Sequence, residues 1–356
     1  MSEAPTILRL PTADLDSIVE GVGARWERLR GQRVLLTGGT GFIGKWLLGS
    51  FLHANRKLGL GAHIVVLSRR PEAFLAEFPA LRGAEDIIWL TGDVRELAAA
   101  DAADCGFAIH AATDVVASST PLEIMDTCVT GTRSVLDAMG DGIEPRRVLL
   151  LSSGAVYGRT PPEMPAIPET WAGAPDPLAP SSAYGEGKRV SELLGVMAAA
   201  ARPGLEVAIA RCFAFVGPHL PLDKHFAIGN FIAAALRGED IQIQGDGTPL
   251  RSYLYAGDLA RWLWAMLFDA PSGRAYNVGG AEALSISELA QRVNRVLGGT
   301  GQVRIARKPE PGVPPQAYVP SVERIAAELG LSSHVQLDDA ILRTARWADQ
   351  TRSEST

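Results

Sequence analysis

The chain holds 356 residues, 47% of them apolar and 21% charged, a globular balance that fits neither disorder nor a fibrous repeat and a length suited to about two domains. Lys+Arg 34 against Asp+Glu 40 leaves a net charge of −6, which argues against nucleic-acid or membrane-surface binding, since both rest on a basic face. Cys105, Cys128 and Cys212 are widely spaced and form no CxxC pair, so they read as reduced core thiols instead of a disulfide frame or a zinc site. The start lacks a basic and then apolar leader pattern, and no apolar run reaches membrane-spanning length. The expectation is a cytoplasmic protein with no membrane partner.

Residues 1–30 form an N-terminal extension in which Leu15, Ile18, Val19, Val22, Trp26 and Leu29 recur at helical spacing behind Asp14 and Asp16. That spacing predicts a helix packed on the body of the protein, weakened by Gly21 and Gly23. From residue 31 short apolar runs alternate with helical stretches. The runs are 32–37 (QRVLLT), 63–68 (HIVVLS), 86–90 (DIIWL), 107–111 (FAIHA) and 147–152 (RVLLLS), apolar throughout as strands buried on both faces should be. Helical periodicity fills 42–53 and 123–139. Such alternation predicts the α/β class, with a Rossmann-type doubly wound parallel sheet over 31–210. Seven prolines between 160 and 180 mark a long loop inside it. A helix over 182–201 and a strand over 205–211 follow. Residues 211–345 then read as a smaller, irregular α/β region, Pro-rich over 309–320, and 346–356 as a tail with a frayed end.

The first strand runs into Thr37-Gly38-Gly39-Thr40-Gly41-Phe42-Ile43-Gly44, with glycines spaced GxxGxxG. Gly38 permits a tight turn, Gly41 lets a pyrophosphate approach the backbone, and Gly44 lets helix and strand pack closely. The helix amides and dipole then face the phosphates, so Gly38, Thr40, Gly41, Phe42, Ile43 and Gly44 are candidate dinucleotide-binding residues. The second strand ends in Ser68-Arg69-Arg70, where an NAD-preferring fold usually carries an acid for the ribose hydroxyls. A serine and two arginines suit a 2′-phosphate through charge-assisted hydrogen bonds. NADP(H) is therefore favoured, with NAD(H) the alternative. Asp93 and Val94, after the third strand, are candidates for the adenine edge, and turn capping is the other role open to Asp93.

Tyr184 and Lys188 lie four apart at the start of the helix after the Pro-rich loop, so they share one helix face. An ammonium near a phenol stabilises the phenolate and makes the tyrosine usable as an acid or base near neutrality. Upstream, the segment 151–158 (LSSGAVYG) falls at the C-terminal end of a sheet strand, where doubly wound sheets bind ligands.

Together, TGGTGFIG (37–44), His110-Ala111-Ala112, SSGAVYG (152–158) and the Tyr184/Lys188 pair resemble the extended short-chain dehydrogenase/reductase family, in its nucleotide-sugar epimerase/dehydratase/reductase branch. The likeness continues through RCFAFVGP (211–218), Gly245-Asp246-Gly247, Arg251, Asp258 and Tyr276-Asn277-Val278-Gly279, and so covers about residues 31–300. The resemblance implies that Tyr184 is the catalytic acid/base, that Lys188 binds the nicotinamide ribose and tunes Tyr184, and that Ser153 holds the reacting hydroxyl or ketone. It places Ala111 and Ala112 beside the cofactor and leaves Ser152 a strand-end structural role. It also implies a nucleoside-diphosphate sugar as substrate and a homodimer built on the helices 121–139 and 182–201.

Departures from the family pattern bear on the reaction. Where dehydratases and UDP-glucuronate decarboxylases of this branch carry acids after the Ser/Thr, this chain has Gly154 and Ala155, which transfer no protons. That favours an epimerase or a 4-ketoreductase, with Glu186 the one nearby carboxylate and on the wrong helix face. Cys128 and Ala214 stand where the family usually has asparagines. A 4,6-dehydratase remains the enzymatic alternative, and a non-catalytic NADP(H) sensor or scaffold the alternative of another class.

On the substrate side, Arg251 in GDGTPLRSY is the candidate for the diphosphate or nucleotide, with Asn230 and Arg211 behind it. His219 and His225 flank a possible lid around Asp223 and Lys224. Their spacing fits no helical ligand pair, so no metal is expected. Trp262 and Trp264 read as core, and Asp258 as a helix cap or a ligand.

Overall fold

Apolar runs bounded by glycine turns collect into one central sheet in the computed structural model, which describes residues 7–113, 119–140, 146–224 and 226–353. In chain order the first elements are α1 (Thr12–Val22), β1 (Arg33–Thr37), α2 (Phe42–Leu58), β2 (His63–Ser68), α3 (Pro71–Glu77), β3 (Ile87–Thr91), α4 (Ala99–Ala102) and β4 (Phe107–His110). They are followed by α5 (Pro121–Ala138), β5 (Arg146–Ser153), α6 (Ala183–Ala201) and β6 (Leu205–Cys212). The remainder comprises β7 (Phe215–Val216), α7 (Ala227–Leu236), β8 (Ile241–Ile243), β9 (Leu250–Arg251), β10 (Leu254–Tyr255), α8 (Ala256–Asp269) and β11 (Ala275–Val278). Last come β12 (Leu284–Ser285), α9 (Ile286–Val296), β13 (Val303–Ile305), β14 (Ala317–Tyr318), α10 (Glu323–Leu329) and α11 (Leu337–Ser353).

The sheet has seven strands in the order β11-β6-β5-β4-β1-β2-β3, the doubly wound arrangement whose strand order reverses between β1 and β4. The pairs β1/β2, β2/β3, β1/β4 and β4/β5 are parallel, and Thr37 lies opposite Leu67 on one side and His110 on the other. One apolar layer beside the sheet joins Leu35, Val65, Ala108 and Val148 of the strands to Val135 and Leu136 of α5. Parallel strands covered on both faces need such continuous apolar runs, which is why these segments were legible as strands.

The chain divides into two units. The first contains 1–158, 174–211 and 260–276; the second contains 159–173, 212–259 and 277–356. These units interleave, in place of the linear division at 210/211 expected from the sequence, and β11 joins the edge of the main sheet beside β6. The loop 159–173 goes with the second unit because Ile167 bridges to Pro320 and the Asn277 side chain donates to the Ile167 and Ser321 carbonyls. The N-terminal segment packs on the body as its spacing predicts: Leu15, Ile18, Val19, Val22, Trp26 and Leu29 are all buried. Trp26 meets Trp264 at 4.9 Å and Phe268 at 6.0 Å, and a Cβ on Gly21 would stand 2.3 Å from Arg261 Cδ. Gly21 thus serves close packing inside α1. Trp262 and Trp264 are core residues, with Trp264 Nε1 donating to Ser50 Oγ at 2.8 Å.

In the second unit the strands form small sheets, β10-β7, β12-β9-β14 and β13-β8, packed with α7, α9 and α11. The expected frayed end is instead helical through Ser353, because Leu337, Ala340, Ile341, Thr344, Ala345 and Ala348 bury one face of α11. Among the described residues no helix is long and apolar enough to cross a membrane. All three cysteines are buried free thiols.

Candidate active site

The glycine loop leaves β1 at the point where the strand order reverses. Gly38 adopts φ 71° and a Cβ there would lie 2.7 Å from the Ala111 carbonyl carbon, so the loops after β1 and β4 touch. A Cβ on Gly44 would come within 2.2 Å of Gly38 O and 2.5 Å of Gly39 Cα. Gly41 is different: it is exposed, has φ −79°, and its Cβ would meet only Gly38 O, at 3.4 Å. Nothing in the protein's own packing requires glycine at 41. The open space above it, at the N-terminus of α2, fits a pyrophosphate approaching the backbone amides. Phe42 and Ile43 form the first turn of that helix.

This loop opens on a cleft of about 530 Å³, lined by Gly41, Ser68, Arg69, Asp93, Ala112 and Thr113 among others. Ser68 Oγ accepts from the Arg70 amide at 3.3 Å, and both arginines are exposed. Asp93 caps the turn Val94–Glu96 and is gripped by Arg95, whose Nε and Nη2 each lie 2.9 Å from a carboxylate oxygen. The Arg95 guanidinium holds the Asp93 carboxyl down at about 2. Asp93 is thus both a cap and a cleft residue, and its charge is matched. Arg95, two residues on, went unread in the sequence.

β5 delivers Ser153, 5% exposed, whose Oγ accepts from the Ala155 amide at 3.1 Å. The turn Gly154–Tyr157 then packs on the start of α6: a Cβ on Gly185 would stand 2.7 Å from Ala155 O. Because Gly185 follows Tyr184, this contact brings the serine's strand end to the tyrosine's helix. Tyr184 is half-buried and Lys188, 4% exposed, places Nζ 6.0 Å from its ring centre. Lys188 Nζ donates to Thr113 Oγ1 at 2.6 Å and to Leu151 O at 2.7 Å. His110 bonds Thr37 Oγ1 through Nδ1 at 2.8 Å; burial, and then Lys188, push it down to about 3, so it stays neutral.

Arg211, expected behind Arg251 on the substrate side, bonds to Glu192 and Tyr157 within the first unit. Its Nε and Nη2 donate to Glu192 at 2.9 and 2.7 Å, its Nη1 donates to Tyr157 OH at 2.8 Å, and Ser152 Oγ donates to Glu192 at 2.5 Å. Burial alone would lower the guanidinium's proton affinity, but the Glu192 carboxylate outweighs it and holds Arg211 above the ordinary arginine value. Its charge is committed to tying β6 to α6 and β5. Glu192, four residues after Lys188, was the helical-spacing signal for this tie. Glu186 pairs with Arg189 at 3.6 Å.

In the second unit Arg251 sits 5.6 Å from the Tyr318 ring centre and donates to Leu250 O. Beside it burial pushes Tyr253 up to about 12, against the pull of Arg251. Asn230 is exposed on α7. Asp258 Oδ2 accepts from the His334 and Val335 amides, and His219, at φ 70°, packs on Trp347 at 4.5 Å. His225 lies outside the described residues. Among those described, no three metal-binding side chains gather.

The model of the NAD dependent epimerase/dehydratase family matches residues 34–279, which include every element of the cleft and the Ser153/Tyr184/Lys188 set. The chain belongs to this family. UDP-glucuronic acid decarboxylase 1 of Xenopus tropicalis is 27% identical over 327 residues, covering 89% of this chain and 72% of the relative. Among solved structures, DesIV, the dTDP-glucose 4,6-dehydratase of Streptomyces venezuelae with NAD and TYD bound, has a TM-score of 0.72 at 26% identity, covering 91% and 98%. MoeE5 in complex with UDP-glucose and NAD has a TM-score of 0.70 at 26% identity, covering 90% and 99%. This member of the epimerase/dehydratase family is thus an NAD-dependent enzyme of the nucleotide-sugar-modifying kind, built on the expected fold.

Proposed function

We propose that this protein transfers hydride at a ring carbon of a nucleoside-diphosphate sugar, either oxidising and re-reducing that carbon as an epimerase does or reducing a ketone there with external NADPH as a 4-ketoreductase does. The observation that carries the reading is the joining of Ser153 to Tyr184 through a turn whose next two residues are Gly154 and Ala155. The set supplies one acid/base, one hydroxyl hydrogen bond and one ammonium, and no carboxylate to expel water. In an epimerase Tyr184 takes the proton from the sugar hydroxyl and later returns it; in a ketoreductase it gives a proton to the ketone oxygen as hydride reaches the carbon. Ser153 holds the same oxygen, Lys188 stabilises the phenolate, and the fixed array lowers the barrier by orientation and charge stabilisation. A bound nicotinamide would supply hydride acceptance and return. Arg251 and Asn230 are the proposed contacts to the nucleotide diphosphate, Ala111, Ala112 and Val94 line the proposed dinucleotide path, and the exposed Leu193, Val196 and Met197 of α6 form the proposed homodimer face.

A second reading, decarboxylation of a sugar acid, is favoured by the likeness to UDP-glucuronic acid decarboxylases over 89% of the chain. Incubation with UDP- and dTDP-hexoses and UDP-glucuronic acid, followed by mass spectrometry of the sugar products, separates the cases. The expected product is an isomer of unchanged mass, or, with NADPH and a 4-keto sugar, a reduced sugar. Loss of carbon dioxide would establish the second reading, and loss of water would overturn both.

The cofactor reading is NADP(H). Support comes from the exposed Arg69 and Arg70 at the end of β2 and from the matching of Asp93 by Arg95, which removes a repelling charge from the cleft. Arg69→Ala is expected to weaken NADPH binding about tenfold to a hundredfold, the scale of a hydrogen bond to a charged group, with NADH binding unchanged. Tighter NADH binding that Arg69→Ala leaves alone would overturn the preference.

A further inference from the structure

The lysine of the catalytic set is held from outside that set. Thr113, just after β4, donates its hydroxyl hydrogen to Ala112 O at 2.7 Å. A hydroxyl has one hydrogen, so toward Lys188 Nζ, 2.6 Å away, Thr113 Oγ1 presents only lone pairs. The direction of the bond is therefore fixed. With Leu151 O on β5 as the second acceptor, the ammonium spans the ends of β4 and β5, two residues before Ser153.

We propose that Thr113 is a positioning residue, a neutral seat that holds the Lys188 ammonium beside Tyr184 without cancelling its charge. A buried ammonium needs acceptors, or it gives up its proton. A carboxylate in this place would hold the lysine more tightly and neutralise it. Among the described residues, the titratable groups set against the ammonium include His110 on β4, Cys128 on α5 and Tyr184 on its own helix. His110 is neutral, and burial keeps the Cys128 thiol protonated against the pull of Lys188. Neither of these two groups carries a negative charge against the ammonium. This inference rests on the acid/base role proposed for Tyr184.

The test is a pH titration of tyrosinate absorbance in the absence of substrate, taking each protein against its own Tyr184→Phe counterpart so that only Tyr184 is read. Thr113→Val removes the acceptor at nearly constant shape and is expected to move the Tyr184 midpoint to higher pH by about one pH unit, the size of a lost neighbouring charge. Thr113→Ser keeps the oxygen and is expected to titrate like the parent; Thr113→Ala stands in if the valine protein does not fold. An unmoved midpoint in the valine or alanine protein, or a serine protein that shifts as far as valine, would overturn the seat. With a nucleotide-sugar substrate, Thr113→Val should lower kcat about tenfold at neutral pH, recovering at higher pH, with KM unchanged, as a one-unit shift in the acid/base requires. If no nucleotide sugar is turned over, the proposed reaction fails, while the titration still decides the seat.

Discussion

Tyr184→Phe is expected to bind the dinucleotide as the parent does and to lose turnover by about 10²–10⁴-fold, the range contributed by a positioned acid/base. The substitution removes one hydroxyl from the half-buried first turn of α6 and leaves the cleft of Arg69, Asp93 and the glycine loop untouched. Lys188 keeps both of its acceptors, Thr113 Oγ1 and Leu151 O, so the ammonium stays in place beside the phenyl ring. Ser153 still holds the sugar oxygen, but nothing takes its proton. Cofactor affinity measured by fluorescence titration, alongside product formation by mass spectrometry, reads both halves of the expectation. Activity within a few-fold of the parent would mean that another group moves the proton, and the roles given to Ser153 and Lys188 would fall with that of Tyr184.

The half of the protein that was legible in its sequence is the half built from local rules. The segments 63–68 and 107–110 are apolar over their whole length and lie between glycine or turn residues, and both are strands at or within a residue of the expected limits. The glycine spacing in 38–44 carries the strand, turn and helix together, so the turn after β1 and the helix start at Phe42 were legible to the residue. What escaped depends on partners distant in sequence. In the sequence Arg211 reads only as a cation on the substrate side, and its pairing with Glu192 of α6 lies 19 positions away. Thr113 carries no motif of its own, and only the fold brings it to Lys188 across 75 positions. The place of 159–173 in the second unit rests on contacts such as Asn277 to Ile167, and that of 260–276 in the first on packing such as Trp26 against Trp264 and Phe268. Helix α11 was missed for another reason. Its buried face relies on Ala340, Thr344, Ala345 and Ala348, small residues that give a weak apolar period.

The glycines of the phosphate loop allow folding and binding to be pulled apart. Gly44→Ala is expected to destabilise the protein by about 1–3 kcal/mol or more, the cost of overpacking a tight site. Its Cβ would need the space of Gly38 O and Gly39 Cα, backbone atoms that cannot swing aside as a side chain end does. Gly41→Ala should melt within about 0.5 kcal/mol of the parent, as surface substitutions do. Its backbone is in an extended conformation open to any residue, and its Cβ meets only Gly38 O at an ordinary 3.4 Å. The added methyl stands instead in the open space at the α2 N-terminus, where it separates the loop amides from a pyrophosphate. Dinucleotide affinity should therefore fall at least tenfold, about 1.4 kcal/mol of binding free energy, with no loss of fold. Thermal melts and cofactor titrations of the two variants test this directly. A Gly41→Ala protein that binds normally would remove the phosphates from this loop, whereas one that fails to fold would mean that Gly41 serves the chain's own packing.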